Sequence, residues 1–415
     1  MVTTAARAQF PPPNELPQQA ALPDPLVMRD GVPVATADAW RTRRRPELRA
    51  LFEHYMYGRY PAAPARVTAR VLFQDDAALG GRGALREVEL TVGPPDWPKI
   101  YLFVATPKAD TRKVHPPAPC FVGANFGGNH LLLADERLRL PSVWMPDQYP
   151  GVVDHRAGAA GRGAQADSWP LEEIVKRGYA VATFYCGDVQ PDRPDVREGM
   201  RAALPQGDVP SDGADTATIM CWAWGVHRAV DYLTSPECND IDPRRIAVVG
   251  HSRLGKTALL AGAFDERIAL TIANQAGCGG SGPSRHDDPQ AESVERITRA
   301  FPHWFCDNFA RLGADPSRLP FDQHSLVALC APRPVLFTAA EEDRWANPAG
   351  QFAVLRAASP VYELLGEEGL TATEMPPPDA PLTGSRLGYW IRSGEHAMGP
   401  ADWKTYLDFA DKWLK

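Results

Sequence analysis

Arg245-Ile246-Ala247-Val248-Val249-Gly250-His251-Ser252-Arg253-Leu254-Gly255-Lys256-Thr257-Ala258-Leu259-Leu260-Ala261-Gly262 is the stretch on which the reading of this chain turns. Ile246 to Val249 is an apolar run of strand formers, Gly-His-Ser-Arg-Leu-Gly is a sharp turn, and the small and leucine residues after it recur at helical spacing. Strand, tight turn and helix with a serine at the turn make a nucleophile elbow: the hydroxyl stands above the sheet, at the positive end of a helix whose free N–H groups can receive an oxyanion. The usual pattern is GxSxG. Gly250 and Ser252 fit it, but Leu254 occupies the second glycine position and Gly255 comes one residue late. On these residues alone, a serine at an ordinary strand-to-helix turn competes with the catalytic reading.

The flanking sequence alternates strand and helix. Residues 38–60 carry Trp40, Leu48, Leu51, Phe52 and Tyr55 at helical spacing, with Thr36 or Asp38 as cap. The segments 67–73, 87–92 and 100–105 alternate as antiparallel edge strands do. Residues 119–125 form a buried-type strand running into Phe126-Gly127-Gly128-Asn129-His130, a glycine loop placed to supply an oxyanion N–H. A helix end at 172–177 precedes a strand at 179–185, and 214–233 forms an amphipathic helix. Beyond the elbow the expected order is strand 268–274, a long loop, helix 293–299, strand 334–339, an acidic loop, helix 348–358, strand 387–392 and a closing helix 403–413. This order predicts an α/β-hydrolase fold, a three-layer αβα sandwich with a mostly parallel central sheet. Residues 1–35 read as an extended, proline-rich N-terminal arm, 36–415 as a single catalytic domain, and 131–168 as an insertion near the site mouth.

Composition narrows the partners. A net charge of −7 over 415 residues argues against nucleic acid, which needs a concentrated basic surface. The longest basic run, 41–45, reads as a solvated helix face. No apolar run is long enough to span a membrane. Seven cysteines without CxxC spacing argue against a zinc site. The triplet Ala6-Arg7-Ala8 has the small-x-small form of a signal cleavage site without the preceding apolar core, which suggests export of a secreted or periplasmic protein.

A serine nucleophile needs a base and a carboxylate to orient it, in the chain order Ser, acid, His for this fold. Of the later histidines, His286, His303, His324 and His396, only His396 lies in a loop directly after the final strand, Ser393-Gly394-Glu395-His396-Ala397-Met398-Gly399. The acid is offered by Glu341-Glu342-Asp343 after strand 334–339, and spacing leaves the choice among the three open.

These residues resemble a family. Gly250-His251-Ser252-Arg253-Leu254-Gly255-Lys256 is similar to the GxSRxGK motif of glucuronoyl esterases, carbohydrate esterase family 15, in which the late glycine is the rule. The likeness extends through Asn274-Gln275-Ala276-Gly277-Cys278-Gly279-Gly280, Pro302-His303-Trp304-Phe305, Glu341-Glu342-Asp343-Arg344-Trp345-Ala346-Asn347-Pro348 and Gly394-Glu395-His396, and covers roughly Leu26 to the C-terminus. It implies Ser252 as nucleophile, His396 as base and Arg253 at the oxyanion, with Lys256, Glu292 and Trp345 binding the sugar. A surface pair of Glu292 with Arg296 is the bland alternative for that glutamate. The fungal acid position is Gln275 here, so the resemblance favours Asp343, the alternative of some bacterial members. The implied activity is that of a cofactor-free, metal-free serine esterase. It would act as a monomer, through an acyl-enzyme, on the ester between (4-O-methyl-)glucuronic acid of xylan and lignin-type alcohols. An acetyl-xylan or general carboxylesterase, and a non-catalytic carbohydrate-binding protein, are the alternatives.

Overall fold

The computed structural model describes residues 10–64, 66–108, 116–194, 198–204 and 212–415. The triplet Ala6-Arg7-Ala8 lies outside the described residues.

Nine strands form one twisted sheet in the order β1-β2-β3-β5-β4-β6-β7-β8-β9. The edge strands β1 (Thr68–Ala77), β2 (Gly83–Thr91) and β3 (Lys99–Pro107) run antiparallel, and β3 also pairs antiparallel with β5 (Ala180–Tyr185). From β5 onward, β4 (Ala118–Asn125), β6 (Ile241–His251), β7 (Ile268–Asn274), β8 (Val335–Ala340) and β9 (Leu387–Arg392) pair in parallel. Parallel strands are covered on both faces, so their side chains are apolar in both directions. In β6, Ile246 and Val248 join one core while Ala247 and Val249 join the other. The first core packs against α1 (Arg45–Phe52), α3 (Thr218–Leu233), α4 (Arg253–Phe264), α6 (Gln323–Cys330) and α7 (Pro348–Leu364). The second packs against α2 (Leu171–Lys176) and α8 (Pro400–Leu414). A further helix, α5 (Val294–Ala300), is capped by Ser293.

Several elements differ from the sequence reading. The expected helix of 38–60 is helical backbone over 37–57, capped by Thr36, and stops before Gly58. There φ is +77° and a Cβ would sit 1.8 Å from Asp215 O. The basic run is not wholly solvated: Arg44 is buried, with Nε donating to Pro25 O and Nη1 to Glu47. Helix α6 has no counterpart in the sequence reading, because every residue from Gln323 to Cys330 is buried and no polar face betrays a period. Helix α7 continues through Pro360 to Leu364, past the expected stop.

Residues 10–35 run along the surface and bury Leu16 and Val34. Arg318 donates to Leu16 O and His324 meets Pro23 O. The segment 131–168 is not merely peripheral: Leu131, Leu132, Leu138 and Met145 are buried. All seven cysteines are buried and free. Among the described residues, no helix is long and apolar enough to cross a membrane.

Candidate active site

The elbow follows from close backbone approach. Ser252 has φ +56° and ψ −129°, a conformation that non-glycine residues rarely adopt, and its N–H donates to Asn274 O at 2.8 Å. A Cβ at Gly250 would meet Leu254 O at 2.0 Å, and one at Gly255 would meet Asn274 O at 2.9 Å. The crowding therefore falls on residues 250 and 255. Leu254, at the usual glycine position, turns into the core.

Around Ser252, parallel strand ends bring together segments far apart in sequence. The ends of β4, β6 and the loop after β9 place Asn125, Phe126, Ser252, Arg253 and His396 on one cavity of about 320 Å³. Gln148, Tyr149, Gln165 and Ser168 from the inserted segment form its other wall. His396 Nδ1 lies 2.6 Å from Asp343 Oδ2. Asp343 is buried and also accepts the N–H of Ala346, whereas Glu341 and Glu342 are exposed. Of the three adjacent acids, Asp343 is thus the one that His396 touches.

The histidine loop is pinned from β7. Gln275 Oε1 accepts the N–H of Ala397 at 2.9 Å, and Asn274 Nδ2 donates to Ala397 O at 3.2 Å. Gln275 thus grips the backbone beside His396. The His251 ring lies 4.4 Å from the His396 ring, centroid to centroid. Burial, reinforced by the neighbouring His396, pushes the His251 pKa well below its ordinary value, so His251 is neutral.

Arg253 sits in a tight cage that sequence reasoning missed. Its Nε lies 2.6 Å from Asp192 Oδ2, its Nη2 donates to Tyr149 at 3.2 Å, and its guanidinium lies over the Phe126 and Trp304 rings. Asp192 also takes His303 Nε2 at 2.8 Å and the Trp304 indole N–H at 2.7 Å. Burial works to raise the Asp192 pKa, but these donors and the Arg253 charge outweigh it and hold it below the ordinary carboxylate value. The sequence carried only partial signals, the Pro191-Asp192-Arg193-Pro194 stretch and the Pro302-His303-Trp304-Phe305 segment, with nothing to join them. His303 is accounted for by this contact with Asp192.

The glycine loop after β4 is bound up in itself. Gly128 N–H donates to Asn125 Oδ1, and Asn125 Nδ2 donates to Asn129 and Thr183. Among the described residues, no cluster of three or more His, Cys, Asp or Glu could hold a metal ion.

Lys256, Glu292 and Trp345 form one chain. Lys256 Nζ donates to Ala276 O, Cys278 O and Glu292 Oε2 at 2.6, 2.6 and 2.7 Å, and Glu292 Oε1 accepts the Trp345 indole N–H at 2.8 Å. Glu292 therefore pairs with Lys256 rather than Arg296, whose guanidinium lies over the Trp345 ring. Trp345 is 42% exposed and borders an open cleft together with Asp343, Glu395 and His396. Lys256 and Glu292 lie beneath that surface.

A strained elbow serine, a His–Asp pair on later strand ends and a mostly parallel sheet define the class: a carboxylic ester hydrolase of the α/β-hydrolase fold. Comparison with known proteins makes this specific. The family model for fungal glucuronyl esterases matches residues 174–366. A carbohydrate esterase designated MZ0003, from an unknown prokaryotic organism, is 42% identical over 94% of this chain and 89% of its own. The glucuronoyl esterase structure from Solibacter usitatus superposes with a TM-score of 0.86 at 35% identity, covering 97% of this chain and all of that one. The 4-O-methyl-glucuronoyl methylesterase of Hypocrea jecorina is 38% identical over 60% of this chain and 54% of its own. The chain belongs to the glucuronoyl esterases of carbohydrate esterase family 15.

Proposed function

We propose that this esterase cleaves the ester between a (4-O-methyl-)glucuronic acid carboxyl of xylan and a lignin-type alcohol. Ser252 Oγ attacks the ester carbonyl while His396 takes its proton, and Asp343 holds the imidazole in the required tautomer and stabilises the imidazolium. The oxyanion forms at the start of α4, where the Arg253 N–H and the caged guanidinium offer fixed positive charge; such groups contribute roughly 3–4 kcal/mol in comparable acyl-transfer sites. The alcohol leaves with the proton from His396. A water activated by the same histidine then releases the acid from the acyl-enzyme, with no metal or organic cofactor in any step. Trp345 stacks on the sugar, and Glu292 with Lys256 behind it supplies the polar contacts to its hydroxyls. We further propose that the enzyme works outside the cytoplasm, since its polymeric substrate cannot enter a cell, and that it does so as a monomer.

The observation that carries this reading is the His396–Asp343 bond beside a strained Ser252 on one cavity, in a chain whose relatives include 4-O-methyl-glucuronoyl methylesterases. The test compares benzyl glucuronate with 4-nitrophenyl acetate and acetylated xylan. Uronate-ester turnover should dominate and vanish in Ser252→Ala, together with fluorophosphonate labelling. Higher kcat/KM on the acetyl esters would overturn the substrate.

A further inference from the structure

A second cavity, of about 230 Å³, is lined from two of the chain segments that also shape the active site. Ser142 and Val143 line it, while Gln148 and Tyr149 of the same segment line the active cavity; Gly187 and Pro191 line it, while the next residue, Asp192, holds Arg253. Besides Ser142, its polar groups are Asp96, Lys99, Tyr101, Arg139, Asp188 and Glu198.

Asp188 makes the cavity unusual. It is only 5% exposed, yet its Oδ1 has no partner within ordinary hydrogen-bond distance; Arg139 Nη1 lies 3.6 Å away, a long ion-pair contact. A buried carboxyl oxygen without a donor is costly, and a ligand hydroxyl in the cavity would relieve that cost. Burial, opposed by Arg139 and assisted by the charge of Glu87, raises the Asp188 pKa to about 7, so near neutrality the carboxyl can both donate and accept. Arg139 is held flat on Tyr101, 3.6 Å above the ring, and is braced by Ser142 Oγ at 2.8 Å.

The charges identify the ligand class. Lys99 is paired with Glu89, Glu198 with Arg193 and the Arg139 guanidinium with Asp188, while Glu87 Oε2 takes the Arg139 backbone N–H. Among the described residues no lining cation is left over for an anion, and no cluster of three or more carboxylates could hold a metal, so the groups suit an uncharged, hydroxyl-rich molecule. The volume is below the roughly 300 Å³ at which drug-sized pockets begin, which limits the occupant to a single small ring.

We propose that this cavity is a second carbohydrate subsite, taking one uncharged pyranose ring whose hydroxyls donate to Asp188 and accept from Arg139 and Lys99. The choice of a sugar over another polyol rests on the carbohydrate-esterase reading above. The test titrates full-length Ser252→Ala protein with xylotriose by calorimetry, in that background and with Asp188→Leu or Asp188→Asn added. Asp188→Leu should weaken binding at least tenfold. Asp188→Asn, which keeps an acceptor, should weaken it less, and it stands in should the leucine variant fail to melt cooperatively. No xylotriose binding, equal affinity in all three proteins, or displacement of the sugar by inorganic phosphate would overturn the subsite. If wild-type enzyme does not turn over benzyl glucuronate while xylotriose binds through Asp188, the function proposed above fails and the subsite stands.

Discussion

Replacing Asp343 by asparagine separates the charge on the His396 partner from its shape. The two side chains meet at 2.6 Å, and their charge centres lie about 4 Å apart, which at an effective dielectric near 20 is worth about 4 kcal/mol to the imidazolium of the transition state. The His396 side chain is 40% exposed, so solvent screening reduces this to about 2–3 kcal/mol, or roughly 30- to 150-fold in rate. An asparagine amide can also donate to Nδ1 and favour the wrong tautomer, which pushes the loss toward or beyond the upper figure. Steady-state kinetics on benzyl glucuronate should show this fall in kcat with KM little changed. Gln275→Ala removes only the hydrogen bond to Ala397 N–H, about 1 kcal/mol, so its loss should stay near fivefold. Asp343→Asn within tenfold of wild type, or Gln275→Ala falling as far as Asp343→Asn, would refute the assignment of the acid.

Asp192→Asn should lower kcat/KM about tenfold by loosening Arg253, and it should also change acid stability. The folded Asp192 pKa is depressed, so its contribution is complete above the ordinary value near 3.8 and fades as pH falls through the lower folded value. Urea unfolding at pH 6 and pH 3 should therefore show the gap between wild type and variant shrinking in acid. Gly250→Ala should destabilise the fold by about 3 kcal/mol, more than Gly255→Ala, because its Cβ meets backbone at 2.0 Å against 2.9 Å; chemical denaturation compares them. Trp345→Ala should raise KM for a 4-O-methyl-glucuronate ester about tenfold and leave 4-nitrophenyl acetate hydrolysis nearly unchanged.

Legibility of the chain followed burial. Strands β7 and β9 have the bounds expected of them, since a run buried on both faces and flanked by turn residues leaves little room for error. Helix α6 escaped for the opposite reason: a helix buried all round has no amphipathic period. Helix α3 starts at Thr218 rather than 214 because residues before it pair with the 57–59 turn instead of with the helix. In the site, His396 was marked by its position after the last strand. Spacing left Asp343, Glu341 and Glu342 open and only the family resemblance favoured Asp343; the burial that sets it apart from two exposed glutamates is tertiary. The Asp192 cage was illegible because its partners come from 149, 253, 303 and 304, brought together only by the fold.

The seven buried thiols have a practical use. A thiol reagent that leaves the fold intact finds no accessible cysteine, so one engineered at Val153, which is 69% exposed on the segment walling the active cavity, would be the sole point of attachment. A fluorophore there would report on that segment without removal of any native cysteine.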